Sequence, residues 1–353
     1  MIDAPPPPSG ARRGGGRPRR VTMSDVARQA GVSSAAVSYA LSGAPGVSDE
    51  RRQRILAIAD EMGFRPSRIA RELRSGTTKA IGLLLADIAN PFYTEVAGGV
   101  VAAAAEDGYE VFVSHVGVDG SRQSDVAFAQ VDRNCSGLIF TSLVATDKPL
   151  LDKLRNENIP VVQLYRKLED EPSDWVGIDD YSASFEMASH LVATGRRKVA
   201  VLGGPDTSSV SVNRMAGYRD ALDKAGLRAI NEPDLWGELT RTSGALRARA
   251  LFAEHPETTA VVCGNDLIAL GVLDVCREIG KRVPEDVALT GFDDMSFSSA
   301  GPLQLSTVTV PRDLMGRRAA RMLLQRIAGD ESPPRNEQLP YGIQVRDTTA
   351  RRG

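Results

Sequence analysis

Apolar positions recur in this chain with two different periods, and the change near residue 79 divides it. In VTMSDVARQAGVSSAAVSYALSG (21–43), Val26, Ala27 and Ala30 fall on one helical face. Thr22 with Asp25 forms a capping-box pattern, Gly31 supplies a reversal, Ser33 caps a second helix, and Gly43 ends it. Val37 and Leu41 then point inward, which leaves Ser34, Ala35, Ser38 and Tyr39 outward on a helix of about two turns. Ser48 opens a third helix with Asp49 and Glu50 in its first turn, Ile55, Ile58, Ala59 and Met62 on its inner face, and Gly63 at its end. The segment 67–74 is a further helix too short to be stable by itself in water.

From Lys79 the pattern alternates between apolar runs and amphipathic segments, the mark of a parallel α/β sheet. Strands are expected at 81–86, 110–114, 137–141 and 160–164, then in a second series at 175–178, 198–203, 259–263 and 287–292. Helices fall between them, and a last helix at 312–327 and strand at 338–345 return to the two lobes in turn. The resulting division is a disordered basic tail (1–20), a small all-α domain (21–66), a short helix and linker (67–78) and a two-lobed core (79–350). Lobe 1 takes about 79–174 and 309–328, and lobe 2 about 175–300 and 337–350.

Charge sharpens this division. The formal net charge is −2, but residues 1–79 hold fourteen Lys and Arg against seven Asp and Glu, a net of +7 that leaves −9 for the remainder. A basic head on an acidic body suits a polyanion-binding module joined to a part that avoids DNA. Cys135, Cys263 and Cys276 are odd in number and sit in apolar runs, so they read as buried thiols of a cytoplasmic protein. No apolar run reaches the roughly 20 residues of a membrane span, and the Pro-, Gly- and Arg-rich start carries no export signal. An enzyme is disfavoured: His115, His190 and His255 are scattered outside any nucleophile or metal motif, Gly203-Gly204-Pro205 lacks the dinucleotide spacing, and no P-loop is present. No cofactor or metal is implied.

Eight motifs in order give the chain a more specific character. These are VTMSDVARQAGVSSAAVSYALSG, GFRPSRIARELRSGTTKAIGLL, NPFYTEV, VGIDD, NRMAGYRDAL, GNDLIALG, VPEDVALTGFDD and LSTVTVPRDLMGRRAARMLL. With them the chain resembles the LacI/GalR family of bacterial transcriptional repressors over nearly all of 21–350. The resemblance implies a helix-turn-helix headpiece, a hinge helix and a periplasmic-binding-protein-like core with an effector cleft between its lobes. It implies a homodimer on a pseudopalindromic operator, because each headpiece reads one half-site.

By that resemblance the second helix enters the major groove with Ser34, Ala35 and Tyr39 at base-reading positions, and Tyr39 stands where many relatives carry arginine. Thr22, Ser24, Ser33 and Ser38 suit phosphate contacts. Ile69, Ala70 and Leu73 fall on the hinge helix, with Leu73 at the position of a leucine that wedges into the minor groove; its other reading is an anchor against the core.

Effector contacts are expected from Asn90, Phe92, Tyr165, Asp179, Arg214, Asn265, Asp266 and Asp293, several of them just beyond strand ends. Asp, Asn and Arg side chains suit a polyhydroxylated ligand, with Phe92 and Tyr165 as stacking faces, although Tyr165 replaces an aspartate common in relatives. Ser208 and Val210 lie in a loop that contributes in some members. Two alternatives stay open: Asp179 and Asp266 as helix caps, and Arg214 as partner of a structural carboxylate. The competing function is a solute-binding protein of a sugar transporter, which shares the core but has no headpiece. On the regulator reading, Arg214→Ala is expected to keep operator binding and lose the effector response.

Overall fold

The computed structural model describes residues 21–64, 79–231, 235–301 and 303–350. The hinge positions Ile69, Ala70 and Leu73 and the tail 1–20 lie outside the described residues. The chain forms two compact units, 1–78 and 79–353.

In the first unit α1 spans Met23–Ala30, α2 Ser34–Ser42 and α3 Asp49–Glu61. Thr22 and Asp25 make the reciprocal capping box: Asp25 N–H donates to Thr22 Oγ1 at 3.3 Å, and Thr22 N–H donates to Asp25 Oδ2 at 3.0 Å. Gly31 follows at φ 66°, a left-handed conformation open to glycine at no steric cost. Ser33 Oγ then accepts from Ala36 N–H at 3.2 Å to start α2. Ser48 stands at the α3 cap position with extended backbone, but its side chain makes no capping bond. Val26, Ala27, Ala30, Val37, Ala40, Ile55 and Ala59 form the core, and Leu41, Ile58 and Met62 are partly buried against it.

The second unit alternates strands and helices. Its elements are β1 Ala80–Leu85, α4 Pro91–Glu106, β2 Glu110–His115, α5 Gln123–Val131, β3 Leu138–Phe140, α6 Lys148–Asn156, β4 Val161–Leu164 and β5 Asp174–Gly177. They continue with α7 Asp180–Ala193, β6 Val199–Leu202, α8 Ser209–Lys224, α9 Arg241–Glu254, β7 Ala260–Cys263, α10 Asp266–Glu278 and β8 Ala288–Thr290. The last are β9 Thr307–Thr309, α11 Arg312–Ile327, β10 Asn336–Gln338 and β11 Gly342–Gln344.

Lobe 1 is built on a parallel sheet of order β10-β5-β4-β3-β1-β2, and lobe 2 on β6-β7-β8. Two boundaries differ from the sequence expectation. The strand placed at the head of lobe 2 is β5, which pairs with β4 in lobe 1; its fully buried Asp-Trp-Val-Gly run needs a neighbour on each side, and β10 supplies the second. The strand expected at 338–345 splits into β10, in the first sheet, and β11, which pairs antiparallel with β9. The chain therefore passes between the lobes at 178–180, at 291–311 and at 339–341. Burial raises the thiols of all three cysteines, which are free, with Cys135 and Cys276 pushed up to about 11. Among the described residues no helix is long and apolar enough to cross a membrane.

Lobe 1 is closed by α4 against α11, and two glycines set the distance between these helices. A Cβ on Gly316 would lie 2.2 Å from Val96 O, and one on Gly99 would lie 2.2 Å from Asp313 O. The contact is to backbone on both sides, so no side-chain rotation relieves it. Gly316→Val is expected to lower stability by about 3 kcal/mol, read as a lower urea midpoint at unchanged slope; wild-type stability in this variant contradicts the close-packing account.

Candidate DNA-reading helix and effector cleft

On the headpiece, Ser34, Ala35 and Tyr39 are exposed together on α2, and Thr22, Ser24 and Ser33 are exposed at the starts of α1 and α2. Ser38 is half-buried. Tyr39 leaves 47 % of its surface in solvent, the largest apolar group on the face of α2 opposite Val37 and Ala40. The ring lies close to Gly46, where a Cβ would come within 3.7 Å of it. A short helix with small polar residues and one aromatic on its outer face has the dimensions of a major-groove reader.

In the core, a cavity of about 570 Å³ opens between the lobes. Its lobe 1 wall includes Asp87, Asn90, Tyr93, His115 and Arg166, which follow or begin just beyond the carboxyl ends of β1, β2 and β4. Its lobe 2 wall includes Asp206, beyond β6, and the loop carrying Trp236, Glu238 and Thr240. Carboxyl ends of parallel strands are where open α/β sheets bind ligands. A cavity of similar size at the opposite ends of β4 and β5 is lined by Arg155, Asp174 and Arg326. There Asp174 is saturated by ion pairs to Arg326 at 2.8 Å and Arg335 at 2.6 Å, which tie α11 to the sheet edge.

Of the eight expected effector residues, Asn90 alone lines the interlobe cavity. Its Oδ1 also accepts from Phe92 N–H at 3.0 Å and so caps α4. Four others assemble behind the cavity. Arg214 is buried, with Nε donating to Asp180 Oδ1 at 2.9 Å, Nη1 to Gly264 O at 2.5 Å, and Nη2 to the Tyr165 hydroxyl and to Asp293 Oδ1 at 3.3 Å. Its guanidinium lies over the Phe292 ring at 3.5 Å. Phe92 stacks on Tyr165 at 4.7 Å, and both are buried in the lobe 1 core cluster. Tyr165, at φ 72°, holds a left-handed backbone conformation that costs a non-glycine residue energy.

The other three have structural partners. Asp179 caps α7 through Ser182 N–H at 2.9 Å. Asn265 caps α10 through Ile268 N–H and donates to Leu239 O at 3.2 Å, which steadies the lobe 2 wall. Asp266 is fully buried and gathers Met295 N–H, Ser298 Oγ and Thr307 Oγ1 at 2.6 to 2.7 Å, so it fastens the 291–311 crossing. Ser208 and Val210 are buried at the start of α8.

Sequence reasoning passed over Asp180, Asp87, Tyr93, His115, Arg166, Trp236 and Glu238. Asp180 was signalled by the second aspartate of VGIDD, and Asp87 and His115 by their places at strand ends. Nothing in the local pattern marked the Trp236 loop, which follows no strand.

The electrostatics of the Arg214 cluster are unbalanced. Burial opposes the Arg214 charge, but Tyr165, Asp180 and Asp293 together hold its pKa above the usual arginine value. Burial pushes Asp293 up to about 7 against the pull of Arg214, and it raises Asp180 as well. One guanidinium does not offset two buried carboxylates, so the second holds its proton towards neutral pH.

The fold and these sites define a class: a helix-turn-helix module followed by a two-lobed core of the periplasmic-binding-protein type. Residues 22–67 match the profile of bacterial regulatory proteins, lacI family, and residues 78–347 match that of periplasmic binding proteins and sugar binding domain of LacI family. The chain belongs to the LacI family of transcriptional regulators. It is 32 % identical to the HTH-type transcriptional regulator CelR of Thermobifida fusca, across 94 % of this chain and 99 % of the relative. It is 29 % identical to catabolite control protein A of Priestia megaterium, across 93 % and 99 %. Among solved structures, a CelR–cellobiose complex aligns with TM-score 0.70 at 31 % identity, covering 93 % of this chain and all of the other. The lac repressor dimer bound to operator and the anti-inducer ONPF aligns with TM-score 0.83 at 27 % identity, covering 94 % and 99 %. These relatives are regulators, not enzymes.

Two outcomes follow from the cluster. Arg214→Ala strands Asp180 and Asp293 and is expected to cost about 3–5 kcal/mol of stability, so operator binding suffers together with any ligand response, unlike the sequence expectation; a denaturant midpoint at the wild-type value contradicts this. The Asp293 carboxyl binds its proton more tightly folded than unfolded, so its contribution is present at low pH and is lost as pH rises through about 7. The melting temperature of wild type is therefore expected to fall, relative to Asp293→Asn, between about pH 4 and pH 7 and to run level above that; parallel pH profiles contradict the assignment.

Proposed function

We propose that this regulator is a repressor whose operator affinity is lowered by a carbohydrate bound between the core lobes. The observation that carries the reading is the interlobe cavity at the strand ends, lined by polar side chains and the Trp236 indole, in the same chain as an exposed reading helix. Carboxylates and amides pair with sugar hydroxyls, and an indole face packs on a sugar ring. The two relatives whose solved complexes carry ligands, CelR with cellobiose and the lac repressor with ONPF, support the same class. Thr22, Ser24, Ser33 and Ser38 are assigned to phosphates, and Ser34, Ala35 and Tyr39 to base edges. The headpiece disfavours a transport solute-binding protein, which has no use for it.

The protein acts as a homodimer in this reading, on a pseudopalindromic site. The edge strand β2 supports it: Phe112 and Val113 leave 43 % and 41 % of their surfaces exposed beside an unpaired strand edge. Each headpiece then reads one half-site, with Ile69, Ala70 and Leu73 assigned to the minor groove between them by sequence.

The test uses duplexes selected from a random library and fluorescence anisotropy on the full chain. Binding should weaken steeply with salt and drop about 5- to 150-fold when the right sugar is added, the range of ordinary allosteric coupling. Tyr39→Ala should lose about tenfold on the selected duplex and little on random DNA. Leu73→Ala should likewise lose far more on the selected duplex than on random DNA. Failure to enrich any sequence contradicts the regulator reading.

A further inference from the structure

The three helices that carry the reading face hold no surplus of positive charge. Residues 21–64 contain four arginines against five carboxylates, a net of −1, and α2 has no charged residue at all. Two of the four arginines are engaged within the unit: Arg28 Nη2 lies 3.4 Å from Asp25 Oδ1, and Arg52 Nη2 donates to Ala44 O at 2.8 Å. Attraction to phosphates supplies a large share of the affinity of a DNA-binding protein, so here it has to come from the flanks of the unit. One flank, 65–79, carries five basic residues against Glu72 and includes the hinge positions. The other is the tail, with Arg12, Arg13, Arg17, Arg19 and Arg20 against Asp3. The positive charge of the head therefore lies before and after the three helices rather than on them.

We infer that the segment Arg17-Pro18-Arg19-Arg20 is a second DNA-binding element, an arm that enters the minor groove beside each half-site and favours A·T pairs there; this rests on the placing of α2 in the major groove.

Position is the first ground. The arm joins the headpiece at the start of α1, where Thr22 is the cap and is exposed together with Ser24. With those two residues at phosphates, Val21 stands at the sugar-phosphate backbone that separates major from minor groove. Extended chain from Val21 back to Arg17 reaches about 13 Å, against a minor groove about 6 Å wide. The centre of the site is assigned to the hinge residues Ile69, Ala70 and Leu73, which leaves the outer flanks to the arms.

Composition is the second ground. Pro18 fixes its own φ and biases Arg17 towards extended backbone, and Gly14, Gly15 and Gly16 bring no side chains, so the strand is narrow enough to follow a groove. No acidic residue lies between Asp3 and Asp25 to oppose it. Guanidinium groups are drawn to the narrow minor groove of A·T runs, where the potential is more negative than elsewhere on the duplex. Arginines that only neutralise phosphates strengthen binding on every flank alike, because phosphate contacts carry no sequence information. An arm in the groove instead adds a base preference at positions that α2 does not reach.

The experiment is fluorescence anisotropy of the full chain on two duplexes that share the selected half-sites and differ only outside them, in a short run of A·T or of G·C pairs on each side. Wild type is compared with a variant carrying Arg17→Ala, Arg19→Ala and Arg20→Ala, with melting curves to establish that both are folded. Wild type should bind the A·T-flanked duplex about tenfold tighter than the other. The variant should lose about tenfold or more on that duplex and far less on the G·C-flanked one, so that it binds the two alike, with a salt slope shallower by about two to three. Equal or reversed preference in wild type, or a loss of the same size on both duplexes, leaves phosphate attraction alone and overturns the inference. A variant with wild-type affinity on the A·T-flanked duplex overturns it as well. Binding of neither duplex by wild type overturns the assignment of α2 itself, and with it this inference.

Discussion

The core depends on a single buried guanidinium. Arg214 sits on α8 of lobe 2 and touches Asp180 at the start of α7, Gly264 beyond β7, Asp293 on the crossing after β8, and Tyr165 at the end of the lobe 1 strand β4. One side chain therefore ties the end of a lobe 1 strand to three separate segments of the chain at lobe 2 and its crossings. Asp266 does the same for the 291–311 crossing, gathering three donors on one carboxylate. Buried polar groups of this kind contribute less to net stability than to holding one arrangement, because breaking any member leaves the others unpaired in a medium that solvates them poorly.

That arrangement makes a ligand-sensitive device physically plausible. A polar cavity between two lobes joined by three crossings changes its walls only if the lobes move together, and a ligand that contacts both walls favours one relative position over another. Coupling of about 1–3 kcal/mol is enough for regulation, and it is of the size of one or two hydrogen bonds to a sugar hydroxyl. Arg166 from lobe 1 and Trp236 from lobe 2 face the same space, so a ligand between them reads both lobes at once.

The fold was largely legible in the sequence because its determinants are local. The Thr22–Asp25 capping box, the Gly31 reversal, the Val26–Ala27–Ala30 face and the alternation of apolar runs after Lys79 each act over a few residues. The misplaced elements, β5 and β10, are short strands whose lobe is decided by which edge they pair with, a long-range choice that no local period records. The cleft was half legible. Asn90 and Asp293 were found because motif and strand end coincide, and Arg214 and Tyr165 by the family resemblance, but the sequence did not say which would face the cavity and which would be consumed by one another. Tyr165 decides that. A phenol at this position is long enough to reach Arg214, and its presence turns a candidate ligand contact into a structural one.

The central claim is that the cleft and the reading helix are thermodynamically coupled, and coupling is reciprocal. The most direct test measures sugar affinity of the full chain twice, once free and once saturated with its selected operator duplex. The account predicts weaker sugar binding on the operator, by the same factor by which sugar weakens operator binding. Equal sugar affinity in the two states contradicts it.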